Sequence, residues 1–225
     1  MNPSFAAPPR LTHASAPLTD EVEVVDEHGQ RQRVSIPAER ALTLYVDKRE
    51  LVTLMTLGAH PEWLVLGYLL NQRLIESAAE VDSITVDWAV GAAAVRTRAG
   101  IERIEERTAQ RVVTTGCGQG SVFGDMMADL DRIHLGDATL TQAQLYGVLN
   151  AIRLQESTYK SAGSVHGCAL FAGEQMLRFV EDVGRHNAID TIAGWMALQD
   201  AATQRGDDKL FYTTGRLTSE MVIKS

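Results

Sequence analysis

The feature that most constrains the fold is a strand that ends in Gly-Arg and leads directly into a helix. Residues 177–183 form an apolar run with β-branched residues, which is typical of a buried strand. Apolar residues then recur at helical spacing over 188–198. The turn between them is Gly184-Arg185-His186-Asn187, in which we expect Asn187 to cap the helix and Asp190 to favour its first turn.

The same arrangement occurs a second time near the end of the chain. A strand predicted over 209–213 is followed by Gly215-Arg216 and by a helix that begins near Leu217. A helix start and a guanidinium both favour an anion, so two such units predict a parallel pair whose carboxyl ends share a crevice for a phosphorylated ligand. The alternative is two ordinary turns, with glycine present for its backbone freedom and arginine solvated.

Composition narrows the class of protein. The 225 residues are 45% hydrophobic and 22% charged, which is typical of a soluble globular protein with a substantial core. A net charge of −8 disfavours a broad nucleic-acid surface, and no apolar run is long enough to span a membrane. The chain has two cysteines and no recognisable export signal, so we expect a cytoplasmic protein without a disulfide framework.

Three regions are predicted along the chain. Residues 1–18 are rich in Pro, Ala and Ser and are expected to form a disordered tail. Residues 19–109 are expected to form a smaller α+β part, with strand hairpins around a helix that has Pro61 at its first position. A charged stretch separates this part from residues 110–225, where strands, turns and helices alternate and predict an α/β domain.

Cys117 is the strongest candidate nucleophile. It lies between glycines in a polar loop before a predicted helix over 123–134, a setting that favours the thiolate. Cys168 lies at the start of an apolar strand and is expected to be buried. A metal site is not indicated, because the sequence contains no Cys-x-x-Cys and no His-x-x-x-His.

Two histidines complete the candidate site. His166 and His186 each lie in a Gly-containing turn at a strand boundary, where a structural role is the commoner one for a single histidine. Together with Arg185 and Arg216 they are expected to form a polar rim around the predicted crevice.

These motifs resemble the formate dehydrogenase accessory sulfurtransferase (FdhD) family. The resemblance extends from about Arg40 to Ser225. The matching segments are 57–75, 114–120, 163–166, 181–190 and 215–221, and the most specific of them contains Asp-Val-Gly-Arg-His-Asn.

The resemblance implies a fold and an activity. The implied fold is a cytidine deaminase-like three-layer α/β/α sandwich joined to a smaller N-terminal α+β part. The implied activity is sulfurtransfer: Cys117 carries sulfur as a persulfide from a cysteine desulfurase to the molybdenum bis-guanine-dinucleotide cofactor of the formate dehydrogenase catalytic subunit. The cofactor is a bound substrate here, and the family holds no metal of its own. The residues implied in binding it are Gly184, Arg185, His186, Asn187, Gly215, Arg216 and His166. Asp182 is a weaker candidate, as an acceptor from a guanine edge.

The sequence departs from the family pattern at two places. Gly120 stands where many members have a second loop cysteine, which removes an intramolecular route for resolving a persulfide as a disulfide. The chain also ends at Ser225, whereas the family continues with a Gly/Arg-containing segment implicated in cofactor binding, so we expect either a truncated or a shortened member.

Two other functions remain open from the sequence. One is a chaperone that holds and delivers the cofactor without sulfur chemistry. The other is a degenerate relative that binds only a desulfurase or an apo-enzyme. A homodimer is compatible with a crevice shared between two copies, but the sequence does not determine the oligomeric state.

Overall fold

A computed structural model describes residues 7–101, 104, 112–113, 120–121 and 138–225. The strands are β1 Arg10–Leu11, β2 Thr19–Val25, β3 Arg31–Pro37, β4 Arg40–Val46, β5 Arg49–Thr56, β6 Val81–Asp87, β7 Ala92–Thr97, β8 Val112–Val113, β9 Gly120–Ser121, β10 His166–Ala172, β11 Gln175–Asp182 and β12 Lys209–Thr213. The helices are α1 Pro61–Asn71, α2 Gln142–Leu154, α3 Thr158–Ala162, α4 Arg185–Met196, α5 Ala201–Gln204 and α6 Ser219–Lys224, with a 3₁₀ turn at Ala78–Glu80. The predicted boundary over 102–111 and the predicted helix over 123–134 lie outside these described residues, apart from Ile104.

The N-terminal part is built on a five-stranded sheet in the order β1-β6-β7-β4-β5. Its β4–β5 and β6–β7 pairs are antiparallel hairpins, as predicted, whereas β1–β6 and β4–β7 are parallel. Alternate residues of β4, namely Leu42, Leu44 and Val46, are almost completely buried against α1 and β6. The period of two in the sequence therefore sets the buried face of this sheet.

The expectation of a disordered tail over 1–18 is wrong for the residues around β1. Arg10 and Leu11 pair with Ser83 and Ile84 of β6. The side chain of Thr12 and the backbone N–H of Ala14 then donate to Oε1 of Glu62, at 2.7 and 2.6 Å. Glu62 is 4% exposed in the first turn of α1, and a buried carboxylate requires such donors. Composition alone does not reveal that contact.

The C-terminal part is mixed α/β and contains a three-stranded sheet in the order β11-β10-β12. Both outer strands run antiparallel to β10, so β11 and β12 point the same way but are not neighbours. The predicted parallel pair is therefore wrong as a direct pairing, although both carboxyl ends do lie at one end of the sheet. The chain reaches this arrangement because the short β10–β11 turn forms a hairpin, which requires antiparallel strands.

Helices cover both faces of this sheet. On one face, Cys168, Leu170 and Val180 pack against Ala188, Ile192 and Trp195 of α4. On the other face, Ala169 and Phe171 pack against Val148 of α2. The described residues thus form three layers in the order α2, sheet, α4. Thr141 caps α2 as predicted, since its side chain accepts from the N–H of Gln144.

The two parts of the chain meet where α1 crosses α4. A Cβ atom on Gly67 would lie 1.6 Å from the carbonyl oxygen of Asp190, and one on Gly194 would lie 1.9 Å from that of Trp63. Neither helix can carry a side chain at this crossing, so the backbones approach closely. The contact fixes α4, and with it the first Gly-Arg turn, against the N-terminal part.

Candidate functional site

The two Gly-Arg turns lie in contact at the carboxyl ends of β11 and β12. A Cβ atom on Gly215 would lie 2.8 Å from Cδ of Arg185, so only glycine leaves room for the Arg185 side chain there. The N–H of Gly215 donates to the hydroxyl of Thr213 at 3.0 Å, which shapes the second turn. The predicted proximity of the two turns is confirmed, whereas the ligand that they bind remains a prediction.

The two arginines of these turns occupy different environments. Arg185 is 5% exposed and packs behind the surface, whereas the side chain of Arg216 is exposed. The surface that a ligand could touch is therefore formed by Arg216 together with His166, while Arg185 supplies positive charge from within.

His166 lies at the amino end of β10, directly between these turns. It faces Asp182 of β11 in the strand register, and it is half-buried. Next to it, the N–H of Gly167 donates to the hydroxyl of Thr214, and the N–H of Thr214 donates to the carbonyl of Gly167. Burial lowers the pKa of the His166 imidazole, and the nearby charges of Arg185 and Arg216 lower it further. His166 is thus a neutral imidazole beside two cations at neutral pH.

Asp182 is a structural carboxylate and not an open ligand for a base edge. It is 3% exposed, and its Oδ2 accepts from the hydroxyl of Thr56 at 2.5 Å and from the N–H of Leu57 at 3.0 Å. Its Oδ1 accepts from the N–H of Gly184 at 2.9 Å and from the side chain of Asn187 at 2.8 Å. Burial raises the pKa of Asp182, and these four hydrogen bonds oppose that rise. The weaker suggestion that Asp182 meets a guanine edge is therefore wrong.

Asn187 does not cap α4, contrary to the prediction. The N-cap residue is Gly184, which makes no side-chain cap bond. Asn187 is fully buried inside the helix, and its amide donates to the carbonyl of Met55 at 2.6 Å as well as to Asp182. These bonds join α4 to β5, and the assignment of Asn187 to cofactor binding stays a prediction.

His186 is a buried member of the predicted rim. It is 4% exposed, and its Nε2 lies 3.4 Å from Oε2 of Glu220 on α6. Burial lowers the pKa of His186 to about 3, and the charges of Lys224, Arg185 and His166 add to this effect. His186 is a neutral residue packed between α4 and α6, and its assignment to cofactor binding stays a prediction.

A buried ion pair that the sequence did not reveal joins the same two helices. Nζ of Lys224 lies 2.9 Å from Oδ2 of Asp190, and the amide of Asn71 donates to Oδ1 at 2.7 Å. The side chains of Asp190 and Lys224 are 0% and 1% exposed. Burial raises the pKa of Asp190, and Lys224 opposes the rise. Asp190 was expected to serve only the first turn of its helix, and no local pattern points to Lys224.

Of the two cysteines, the structure describes one. Cys168 is completely buried, as predicted, and its thiol donates to the hydroxyl of Thr213 at 3.4 Å. Burial raises its pKa to about 12, so it forms no thiolate at neutral pH. Cys117 lies outside the described residues. Gly120, which stands in place of a second cysteine, begins the short strand β9 and pairs with Val113.

Two further features are absent from the described residues. No group of three or more His, Cys, Asp or Glu side chains in this part of the chain is placed to hold a metal ion. None of its helices has the length and apolar character needed to cross a lipid bilayer.

The buried His186 predicts a loss of stability in mild acid. The unfolded chain binds a proton at this residue near pH 6.5, whereas the folded chain does so only near pH 3, so the free energy of unfolding should fall as the pH drops below about 6.5. A His186→Gln variant should remove up to about 1.4 kcal/mol per pH unit of this dependence. Urea unfolding at several pH values measures it, and His28→Gln, at an exposed turn, is the control that should leave the dependence unchanged.

Comparisons with known proteins agree with this architecture. The model of the FdhD/NarQ family matches residues 37–225. The chain is 28% identical over 194 residues to the Sulfur carrier protein FdhD of Listeria innocua, covering 85% of this chain and 73% of that protein. It is 27% identical over 207 residues to the Sulfur carrier protein FdhD of Halalkalibacterium halodurans, covering 91% of this chain and 76% of that protein.

A solved structure is similar over almost the same extent. The crystal structure of a formate dehydrogenase accessory protein from Desulfotalea psychrophila superposes with a TM-score of 0.68 at 25% identity, covering 92% of this chain and 79% of that one. The family model covers most of the chain, including both contacting Gly-Arg turns and the helices that fix them. The chain therefore belongs to the FdhD/NarQ family.

Proposed function

We propose that this protein is a sulfur carrier that serves formate dehydrogenase. Two kinds of similarity support the proposal: curated relatives are named Sulfur carrier protein FdhD, and a structural neighbour is a formate dehydrogenase accessory protein. In this proposal Cys117 accepts sulfur from a cysteine desulfurase and passes it to the molybdenum bis-guanine-dinucleotide cofactor. The protein acts in the cytoplasm, and its partners are the desulfurase and the catalytic subunit of formate dehydrogenase.

The observation that carries the proposal is the contact between the two Gly-Arg turns. Arg185 packs on Gly215, which places Arg216 and His166 beside each other at the end of the sheet. Phosphate groups are dianions or monoanions that guanidinium groups bind well, and the two turns concentrate positive charge in a chain whose net charge is −8. The phosphates of the dinucleotide cofactor are the proposed ligands of this rim.

The proposed sulfur chemistry needs one thiolate. The Cys117 thiolate attacks the outer sulfur of the desulfurase persulfide, a new S–S bond forms, and the desulfurase thiolate leaves. When the cofactor is bound, the S–S bond at Cys117 breaks and its electron pair returns to Cys117. The outer sulfur becomes a sulfide ligand of the metal centre, which supplies the two electrons needed to reduce it. No second cysteine enters either step, so Gly120 is compatible with the proposal.

The finer description of the fold is also a proposal. The order α2, sheet, α4 in the described residues supports a cytidine deaminase-like α/β/α sandwich. In that sandwich the rim lies at the carboxyl ends of β11 and β12, where ligands commonly bind in α/β proteins.

The test of the proposal is formate dehydrogenase activity in a bacterial host that lacks its own carrier protein. The wild-type chain should restore activity, and a Cys117→Ala variant expressed to the same level should not. A chaperone that only delivers the cofactor would restore activity without Cys117, so that result would reject sulfur transfer.

A further inference from the structure

The side chain of Arg178 on β11 lies over two tryptophan rings that belong to different helices. Its guanidinium carbon is 5.0 Å from the ring centroid of Trp63 on α1 and 4.8 Å from that of Trp195 on α4. Arg178 pairs with Leu170 of β10, and paired residues of antiparallel strands share a face, so it belongs to the face that α4 covers. A cation is thus held where α1, α4 and β11 meet.

A second arginine over an indole serves as a comparison within the same chain. The guanidinium carbon of Arg40 is 5.6 Å from the ring centroid of Trp88. Its Nε donates to the carbonyl of Ala38 at 3.3 Å, and its Nη2 donates to that of Pro17 at 2.7 Å. Arg40 therefore uses its donors to hold the segment before β4, which is a structural role.

Arg178 has no such acceptors in the part of the chain that the structure describes. It makes no hydrogen bond or ion pair with another described residue, although the chain has 29 acidic residues against 21 basic ones. Its Nε is buried without an acceptor, and burial lowers its pKa. A buried donor without a partner costs free energy, which an apolar side chain of similar length would avoid. A charge kept at such a cost indicates a partner outside the described fold.

The surroundings of this cation limit the group that can bind it. The two indoles occupy the space next to the guanidinium carbon, and His60 stacks on the Trp63 ring with 4.2 Å between the ring centroids. Only Nε is closed off from solvent, so the two Nη atoms of Arg178 remain accessible at the edge of the guanidinium. Their parallel N–H groups match the two oxygens of a flat carboxylate, whereas a tetrahedral phosphate would place oxygens out of this plane.

We propose that Arg178, Trp63 and Trp195 form a docking site for a glutamate or aspartate side chain of a partner protein. The carboxylate accepts from the two Nη atoms, and the indoles exclude water from this ion pair, which strengthens it. A single carboxylate is a weak ligand alone, so the surrounding surface of a protein supplies the rest of the contact. Arginine and tryptophan are also the residues that contribute most to protein interfaces.

This site is separate from the phosphate rim. Arg178 and Asp182 lie on the same strand, about 13 Å apart at the usual rise of about 3.3 Å per residue, and the rim begins beyond Asp182. Pyrophosphate at the rim should therefore not compete with a carboxylate at Arg178. The proposal is also independent of Cys117, so its failure would leave the proposed function unaffected.

The first test is a fluorescence titration of the full chain with short peptides. The chain has three tryptophans, and in a Trp88→Phe background the emission comes from the two rings beside Arg178. A tetraglutamate peptide should change this emission in a saturable manner, and a tetraglutamine peptide should not. No response to tetraglutamate would overturn the proposal. An equally tight response to pyrophosphate or to acetate would also overturn it, because the site would then bind phosphates or any small acid.

Substitutions of the arginine are the second test. Arg178→Lys keeps the charge but loses the paired N–H groups, so the affinity for tetraglutamate should fall at least about tenfold. Arg178→Met should abolish binding, and it should fold because an apolar side chain then lies beside the two indoles. Arg40→Lys, at the comparison site, is the matched control and should bind the peptide as the parent chain does.

Thermal unfolding of each variant shows whether the chain is folded. If Arg178→Met does not fold, the measurement on Arg178→Lys decides, since that variant retains the cation over both rings. Unchanged affinity for tetraglutamate in a folded Arg178 variant would show that the peptide binds elsewhere, and it would reject the docking site.

Discussion

Incubation with a cysteine desulfurase and cysteine should add one sulfur atom to the wild-type chain and none to a Cys117→Ala variant. The chain has only two cysteines, and the other one, Cys168, is completely buried with its pKa raised to about 12. Persulfide formation requires a thiolate that the donor can reach, and Cys168 meets neither condition. Intact mass before and after reduction measures the added sulfur, which a reductant should remove.

The matched control is Cys168→Ser, which keeps a small side chain and a donor for the hydroxyl of Thr213. It should accept sulfur as the wild type does, provided that its thermal unfolding shows a folded chain. Sulfur on Cys117→Ala, or no sulfur on a folded wild type, would contradict the carrier role. Because this assay contains no cofactor, its outcome is independent of the proposed phosphate site.

The local patterns of the sequence predicted the elements that carry the site. Proline at the first position of α1, threonine before α2 and the first Gly-Arg turn each mark a helix start that the structure confirms. After the second Gly-Arg turn the helix begins at Ser219, two residues later than predicted, because Thr218 is its N-cap. The contact between the two turns followed from one further rule, that strands pointing the same way bring their carboxyl ends together.

The buried polar contacts could not be predicted in this way. Asp182 bonds with Thr56 and Leu57, which are 126 and 125 residues away in sequence, and Lys224 reaches Asp190 from the last helix. In a single sequence, a carboxylate that will be buried looks the same as one that will be solvated. For that reason the buried contacts of the Asn187 and His186 side chains could not be predicted.

The contribution of long-range buried hydrogen bonds to the free energy of unfolding can be measured at Asp182. Replacing it by alanine leaves four donors without their acceptor, on Thr56, Leu57, Gly184 and Asn187. Each buried donor without a partner costs about 1–3 kcal/mol, and relaxation recovers part of the sum, so Asp182→Ala should lower the free energy of unfolding by about 3–5 kcal/mol. Urea unfolding followed by circular dichroism measures the change.

Asp26 is a control that separates the effect of burial on stability from the effect of the hydrogen bonds alone. Asp26 accepts from the N–H groups of His28 and Gln30 in an exposed turn, where water can replace it, so Asp26→Ala should cost less than about 1 kcal/mol. An equal loss of unfolding free energy in Asp182→Ala and Asp26→Ala would show that Asp182 does not join β5 to α4. A larger loss of unfolding free energy at Asp182 would show that its carboxylate also holds the start of α4. The variant Asp182→Asn keeps the shape of the side chain but loses an acceptor, so it should fold with intermediate stability. In that variant Arg185 would lose part of its fixed position behind the rim, and pyrophosphate affinity should fall with it.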